Sequence, residues 1–144
     1  MGNVQILLRQ HVGAPCEAIV KAGDKVEKGT LIATPTGLGA NIFSSVYGVV
    51  EEVTADSIII KPDDEQKDEF VPIKEGTKLE MVKEAGIVGM GGAGFPTGVK
   101  LNINLAETPM AELDPEINPE LPADFKLEHS YILVNAAAVS YTHL

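Results

Sequence analysis

The residues best placed to do chemistry lie between Gly86 and Leu101. Gly89, Gly91, Gly92 and Gly94 put four glycines within six positions, and Gly89 to Gly94 fit the spacing G-x-G-x-x-G. Glycines at that density remove side chains, so a ligand can touch the main chain itself. Pro96 suits the first turn of a following helix, whose free amides can hold phosphate. Lys100, about one turn further on, adds positive charge to a chain that has little of it. The chemistry this pattern implies is the holding of an anion or a flat ring at the backbone. No residue of the loop suits proton transfer or nucleophilic attack. On spacing alone, a structural glycine hinge packed against the rest of the chain is the alternative.

Two familiar glycine loops do not fit. A dinucleotide fold needs a strand before the loop and an acidic residue about 20 positions after it. Here Thr77-Lys78-Leu79-Glu80 has the form of a capping box, and Leu79, Val82 and Ala85 recur at helical spacing. The spacing predicts a helix over 78–85, stopped by Gly86. Asp114 is 20 residues past Gly94 but sits in a proline-rich stretch. The phosphate loop of nucleotide hydrolases fails as well, because no Gly-Lys-Ser/Thr follows the glycines.

The other reactive residue types are sparse. His11 and Cys16 flank the turn Gly13-Ala14-Pro15 and supply at most two metal ligands, so a zinc site is not expected. No charge partner for a reactive thiolate can be read near Cys16. Both residues read as structural or as neutral surface positions. The run Pro62 to Glu69 is acidic but lacks calcium-loop spacing, and it reads as a solvated linker.

Composition sets the outer limits. The 144 residues carry 11 Lys+Arg against 21 Asp+Glu, a net charge of −10, with Arg9 as the single arginine. Such a chain is a poor binder of nucleic acid and is repelled by anionic membrane surfaces. The longest apolar runs are only a few residues, such as Ile58 to Ile60, so membrane insertion is not expected. The start of the chain lacks the layout of a signal peptide. One cysteine excludes an internal disulfide.

These residues must be positioned by short elements. Val4–Leu8, Ala18–Val20, Leu31–Ala33, Val46–Val53 and Ser57–Lys61 read as strands, separated by glycine- and aspartate-bearing turns. Short, closely spaced strands argue for a small all-β sandwich or barrel. The segment Val20-Lys21-Ala22-Gly23-Asp24-Lys25-Val26-Glu27-Lys28-Gly29-Thr30-Leu31-Ile32 resembles the first half of biotinyl/lipoyl-like domains, and Ile42 to Val50 resembles the second. A swinging-arm carrier needs a lysine at the tip between the halves. The tip is Thr34-Pro35-Thr36-Gly37-Leu38-Gly39-Ala40, without one, so that function is set aside. Gly37-Leu38-Gly39 either lies close to another surface or forms a flexible tip.

The full string Gly89-Met90-Gly91-Gly92-Ala93-Gly94-Phe95-Pro96-Thr97-Gly98-Val99-Lys100 is similar to the motif of the complex I flavoprotein subunit and of RnfC-type subunits. In both, the loop belongs to a flavin and NADH site. Arg9 to Pro15, with the turns at Gly23-Asp24 and Gly29, resembles the RnfC-like family, in which a barrel-sandwich domain precedes the flavoprotein-like one. Leu7 to Cys16 and Gly37 to Ile42 look closest to the PrdC group, electron-transfer proteins associated with D-proline reductase.

The resemblance implies an α+β chain. A biotinyl/lipoyl-like barrel-sandwich β domain would occupy residues 1–70. The start of a complex I flavoprotein-like α/β domain would occupy 71–144. It implies NADH and/or FMN as cofactors, held by Gly89, Met90, Gly91, Gly92, Ala93, Gly94, Phe95, Pro96, Thr97, Gly98 and Lys100. The glycines would admit the nucleotide, Phe95 to Thr97 would shape the turn, and Lys100 would neutralise phosphate. Partners would be D-proline reductase or other Rnf-type subunits, and the location cytoplasmic or peripheral at the membrane's cytoplasmic face. A chain of this kind would be a fragment that is not active by itself. The family's [4Fe–4S] ligands would fall beyond a strand at Tyr131–Ala137, and residues 139–144 read as foreign sequence after a truncation. The stretch 102–130 reads as a long acidic, proline-rich surface loop. A docking module with a structural glycine loop is the non-enzymatic alternative.

Overall fold

The computed structural model describes residues 2–102, and the expectations for 103–144 lie outside the described residues. Residues Met1–Leu101 form one compact unit. Seven strands come first: β1 (Val4–Leu7), β2 (Cys16–Ala18), β3 (Lys25–Val26), β4 (Leu31–Pro35), β5 (Ile42–Phe43), β6 (Gly48–Val53) and β7 (Ser57–Pro62). Two short helices follow, α1 (Lys78–Glu84) and α2 (Thr97–Lys100). The strands form two antiparallel sheets, ordered β1-β7-β6-β3 and β2-β4-β5.

The alternation of side chains along strands builds the core between them. On β7, Ser57, Ile58 and Ile60 are buried, whereas Lys61 is exposed. They join Ile6, Leu8, Cys16, Val26, Ile32, Ala33, Ile42 and Val50. On β6, pairing runs Val50 to Ile60 and then Glu52 to Ile59, with a register shift between. Glu51 is therefore an extra residue, a bulge that lets two successive glutamates face water while Val53 returns to the core.

Two matching turns fix the signature segment. Thr30 donates its amide to the Glu27 carbonyl (2.9 Å) and Asp24 donates to Lys21 (3.1 Å). In each, glycine holds the third place at positive φ, +93° for Gly23 and +84° for Gly29. The fourth side chain closes the ring: Asp24 Oδ2 accepts from the Lys21 amide and Thr30 Oγ1 from the Glu27 amide, both at 2.9 Å.

The strand expectations hold in the main, with shifts that have local causes. The second strand starts at Cys16, earlier than the apolar run Ala18–Val20 suggests, because Ile19 points outward and is half exposed. β3 and β5 are two residues each, too short to show a pattern in the sequence. The acidic connector keeps its charges in water, but its main chain is tied down. Tyr47 Oη donates to the Glu69 carbonyl (2.9 Å), Gln66 bonds both main-chain groups of Tyr47, and Val71 donates to Lys28 (2.7 Å).

Helix α1 begins as its sequence requires. Thr77 Oγ1 accepts from the Glu80 amide, and the Thr77 amide donates to Glu80 Oε2 at 2.8 Å. The Thr77 amide and hydroxyl, both donating to Glu80 Oε2, hold the Glu80 carboxyl below its ordinary value. Gly86 follows the C-cap at φ +66°. A Cβ there would stand 2.2 Å from the Asn41 carbonyl oxygen, so the helix ends pressed against the barrel.

Ile58→Ala should lower unfolding stability by about 2–5 kcal/mol through cavity formation. Ile59→Ala, on the half-buried face of the same strand, should cost clearly less. Denaturant titrations of the two variants check the inward and outward assignment of β7.

Candidate functional site

The glycine segment folds as a hairpin with a closed base and an open tip. Thr97 donates its amide to the Ile87 carbonyl (2.9 Å) and Gly89 donates to Phe95 (3.0 Å), pairing Val88 with Pro96. Gly94 donates across the tip to Gly91 (3.3 Å). Among the described residues, the amides of Met90, Gly91, Gly92 and Ala93 have no protein acceptor. A Cβ on Gly91 or Gly92 would meet nothing within 4 Å, and the Met90 side chain is fully exposed. The tip is thus bare main chain with unspent donors. Gly92 takes φ +58°, and successive amides in such turns make anion-binding concavities.

The base of the hairpin is built differently. Pro96 is the N-cap of α2, one place before the first-turn position expected from sequence. The Thr97 amide is spent on Ile87 and the Val99 and Lys100 amides on Pro96, so this helix start offers fewer free donors than the sequence suggests. α2 rests on α1 at Gly98, where a Cβ would come within 2.4 Å of Lys83 Cγ. Lys100 places its ammonium 5.4 Å from the centroid of the Phe95 ring. A cavity of about 410 Å³ lies beside this base, lined among others by Pro35, Ala40, Ile87, Pro96 and Val99.

The tip faces a separate, more polar cavity of about 370 Å³, bordered by Arg9, Gln10, His11 and the loop from Gly89 to Gly94. Of the residues expected from sequence, Gly89 to Gly94 come together here. Phe95 to Gly98 and Lys100 form the base and do not line this cavity. Arg9 is a site member that the sequence pattern does not reveal. Its only signal is to be the lone arginine, because nothing in the spacing brings position 9 to position 91.

The barrel holds the hairpin through a buried joint. The His11 ring is buried. Its Nδ1 donates to the Val12 carbonyl (3.0 Å), which can only accept, and its Nε2 accepts from the Ala40 amide (3.2 Å). These partners select the Nδ1–H tautomer. Cys16 Sγ lies 3.3 Å from both Nε2 and the Ala40 carbonyl. With Nε2 taken by the amide, the thiol proton goes to the carbonyl. Gly39 packs on the imidazole so closely that a Cβ would stand 2.5 Å from Cε1. Gly13 does the same against Leu38, and Gly94 at φ +62° lies against Gln10 and His11, with a Cβ 3.0 Å from the Gln10 carbonyl. Asn41 Nδ2 adds a bond to the Glu84 carbonyl at the end of α1 (3.1 Å). The Gly37–Gly39 tip therefore lies against another surface at Gly39, while Gly37 stays open. Cys16 and His11 spend their polar atoms on Val12 and Ala40, and among the described residues no group of three metal-ligating side chains occurs.

Residues 1–76 match the family described as the RnfC barrel sandwich hybrid domain. A subunit of the proton-translocating ferredoxin:NAD(+) oxidoreductase complex of Clostridium ljungdahlii is 38% identical over 156 aligned positions, covering 89% of this chain and 33% of that protein. A subunit of the ion-translocating oxidoreductase complex of Vibrio cholerae is 31% identical, covering 86% of this chain and 19% of its own length. A subunit of the Na(+)-translocating ferredoxin:NAD(+) oxidoreductase complex of Acetobacterium woodii is 39% identical, covering 69% and 27%. An alignment over 89% of the chain necessarily takes in the glycine hairpin. The chain spans a third or less of the length of these relatives. Among the described residues no helix is long and apolar enough to cross a membrane.

Burial raises the Cys16 thiol above its ordinary value. An acid kept protonated in the fold but free to ionise in the unfolded chain contributes stability below the ordinary thiol value and loses it as pH rises above that value. Iodoacetamide should therefore label Cys16 slowly in the folded chain and rapidly after denaturation. Thermal stability should fall in mildly alkaline buffer more steeply for wild type than for Cys16→Ala. Rapid labelling of the folded chain would contradict the buried joint.

Proposed function

Because the chain belongs to the RnfC family, its first 76 residues being that family's barrel-sandwich hybrid domain, we propose that it is the N-terminal part of an electron-transfer subunit. Its glycine hairpin would hold a nucleotide cofactor at the entry of electrons from NADH. The observation that carries this reading is the open tip: four main-chain amides without acceptors among the described residues, beside two glycines that no described side chain screens.

The residues fit a phosphorylated flavin. Gly91 and Gly92 let the cofactor's polar end reach the amides of Met90 to Ala93. Gly89 and Gly94 set the ends of the tip through their bonds to Phe95 and Gly91. Phe95, Pro96, Thr97 and Gly98 make the rigid base, and Lys100, over the Phe95 ring, brings positive charge to a strongly acidic chain. When bound, FMN supplies the chemistry that links two-electron donors to one-electron acceptors. The protein's share is to bind, orient and supply electrostatics, which suits a site with no acid–base residue.

Residues 71 onward begin the flavoprotein-like α/β domain of the complex I type, and the [4Fe–4S] clusters belong to parts of the protein beyond this chain. The partners are other Rnf-type subunits or, on the likeness of residues 7–16 and 37–42 to the PrdC group, D-proline reductase. The protein works at the cytoplasmic side.

Titration of the purified chain with FMN and with NADH, followed by flavin fluorescence and thermal stability together, tests the site. Saturable binding below about 100 μM should appear, with a stabilisation that grows with ligand concentration. A folded chain that binds neither ligand would contradict the nucleotide reading and leave a docking module.

A further inference from the structure

Resting on the nucleotide reading, we propose that Arg9, carried by the barrel, pairs with the phosphate group of a cofactor seated on the Met90–Ala93 tip. The site would then be composite, with hairpin amides on one side and a barrel guanidinium on the other.

Arg9 is the one arginine in a chain with 21 acidic residues. Among the described residues its side chain forms no hydrogen bond and no ion pair. Arg9 borders the polar cavity of about 370 Å³ with Gly89 to Gly94, and a neighbouring cavity with Val4 to Leu7 and Phe43. A chain of net charge −10 repels anions at long range, so an anion site within it needs a local cation. Lys100 lies over the Phe95 ring and does not border this cavity. Among the described residues, Arg9 is the cationic residue that does.

Its main chain is well anchored. Leu8, buried, donates its amide to the Asp56 carbonyl (2.8 Å), and Gln10 Nε2 donates to the Leu7 carbonyl (2.9 Å). His11 follows in the buried joint, and Gly94 presses on Gln10 and His11. The distance between position 9 and the tip is therefore set by the fold. The planar, always-charged guanidinium fork and several convergent amides match a tetrahedral dianion with oxygens on every side. A single carboxylate would leave most of those donors unused.

The test compares wild type, Arg9→Gln and Arg9→Lys, each titrated with FMN and with riboflavin, which lacks the phosphate. Thermal melts check that the variants fold, as expected for an exposed side chain. Wild type should bind FMN at least about tenfold more tightly than riboflavin. Arg9→Gln should weaken FMN binding about 10- to 100-fold, the scale of a charge-assisted hydrogen bond, and leave riboflavin unchanged. Arg9→Lys should fall between. Equal FMN affinity in wild type and Arg9→Gln, or equal affinity of wild type for the two flavins, overturns the inference and leaves the nucleotide reading standing. If wild type binds neither flavin nor NADH, the nucleotide reading falls. The inference then stands only if inorganic pyrophosphate shifts the amide resonances of Gly91 and Gly92 in wild type and not in Arg9→Gln. Absence of that difference overturns it too.

Discussion

One imidazole holds the site together. His11 sits where three pieces of chain meet: the loop after β1, the β4–β5 tip at Gly39–Ala40, and the glycine hairpin at Gly94. Both ring nitrogens are committed, to Val12 and Ala40, and the ring face is covered by Gly39. A buried polar ring left unpaired would cost about 1–3 kcal/mol, so any rearrangement that frees it is penalised. The glycines around it are there because side chains would not fit. Gly13 and Gly39 each bring main chain closer than a Cβ would permit, and Gly94 combines a tight approach with a positive φ.

That joint explains how a carrier-type barrel serves without a carrier lysine. The tip that would present the lysine is folded down instead, and it uses Gly39, Ala40 and Asn41 to grip His11, Cys16 and the end of α1. The barrel thereby becomes a mount. Its loops carry the base of the hairpin and leave the Met90–Ala93 tip unsupported and open. Rigidity at the base and bare main chain at the tip suit the binding of a cofactor that brings its own chemistry. The same mount sets Arg9 beside the tip, a cation placed by the barrel where the hairpin itself has none.

The legible parts of the sequence were the local ones. The spacing of Gly89 to Gly94, the capping box at Thr77 and Glu80 and the twin turns at Gly23 and Gly29 are written in adjacent residues, and the structure follows them. What depended on distant contacts was not legible. His11 and Cys16 looked like isolated residues because their partner, Ala40, is a main-chain group that no pattern marks. β3 and β5 are too short for alternation, and the bulge at Glu51 hid the inward turn of Val53. The expected free amides at the start of α2 are largely taken, by a long-range bond from Thr97 to Ile87 and by bonds from Val99 and Lys100 to Pro96. Arg9 entered the site through the chain's path alone.

The barrel joint holds the hairpin in shape. Amide hydrogen exchange in a chain carrying Gly39→Val measures this directly, since the new side chain must displace the His11 ring. Exchange at Gly89, Gly94 and Thr97, whose amides close the hairpin, should accelerate while amides of β7 keep their protection. Unchanged exchange at those three positions in a variant with a displaced imidazole would contradict the claim, for the hairpin would then be holding itself.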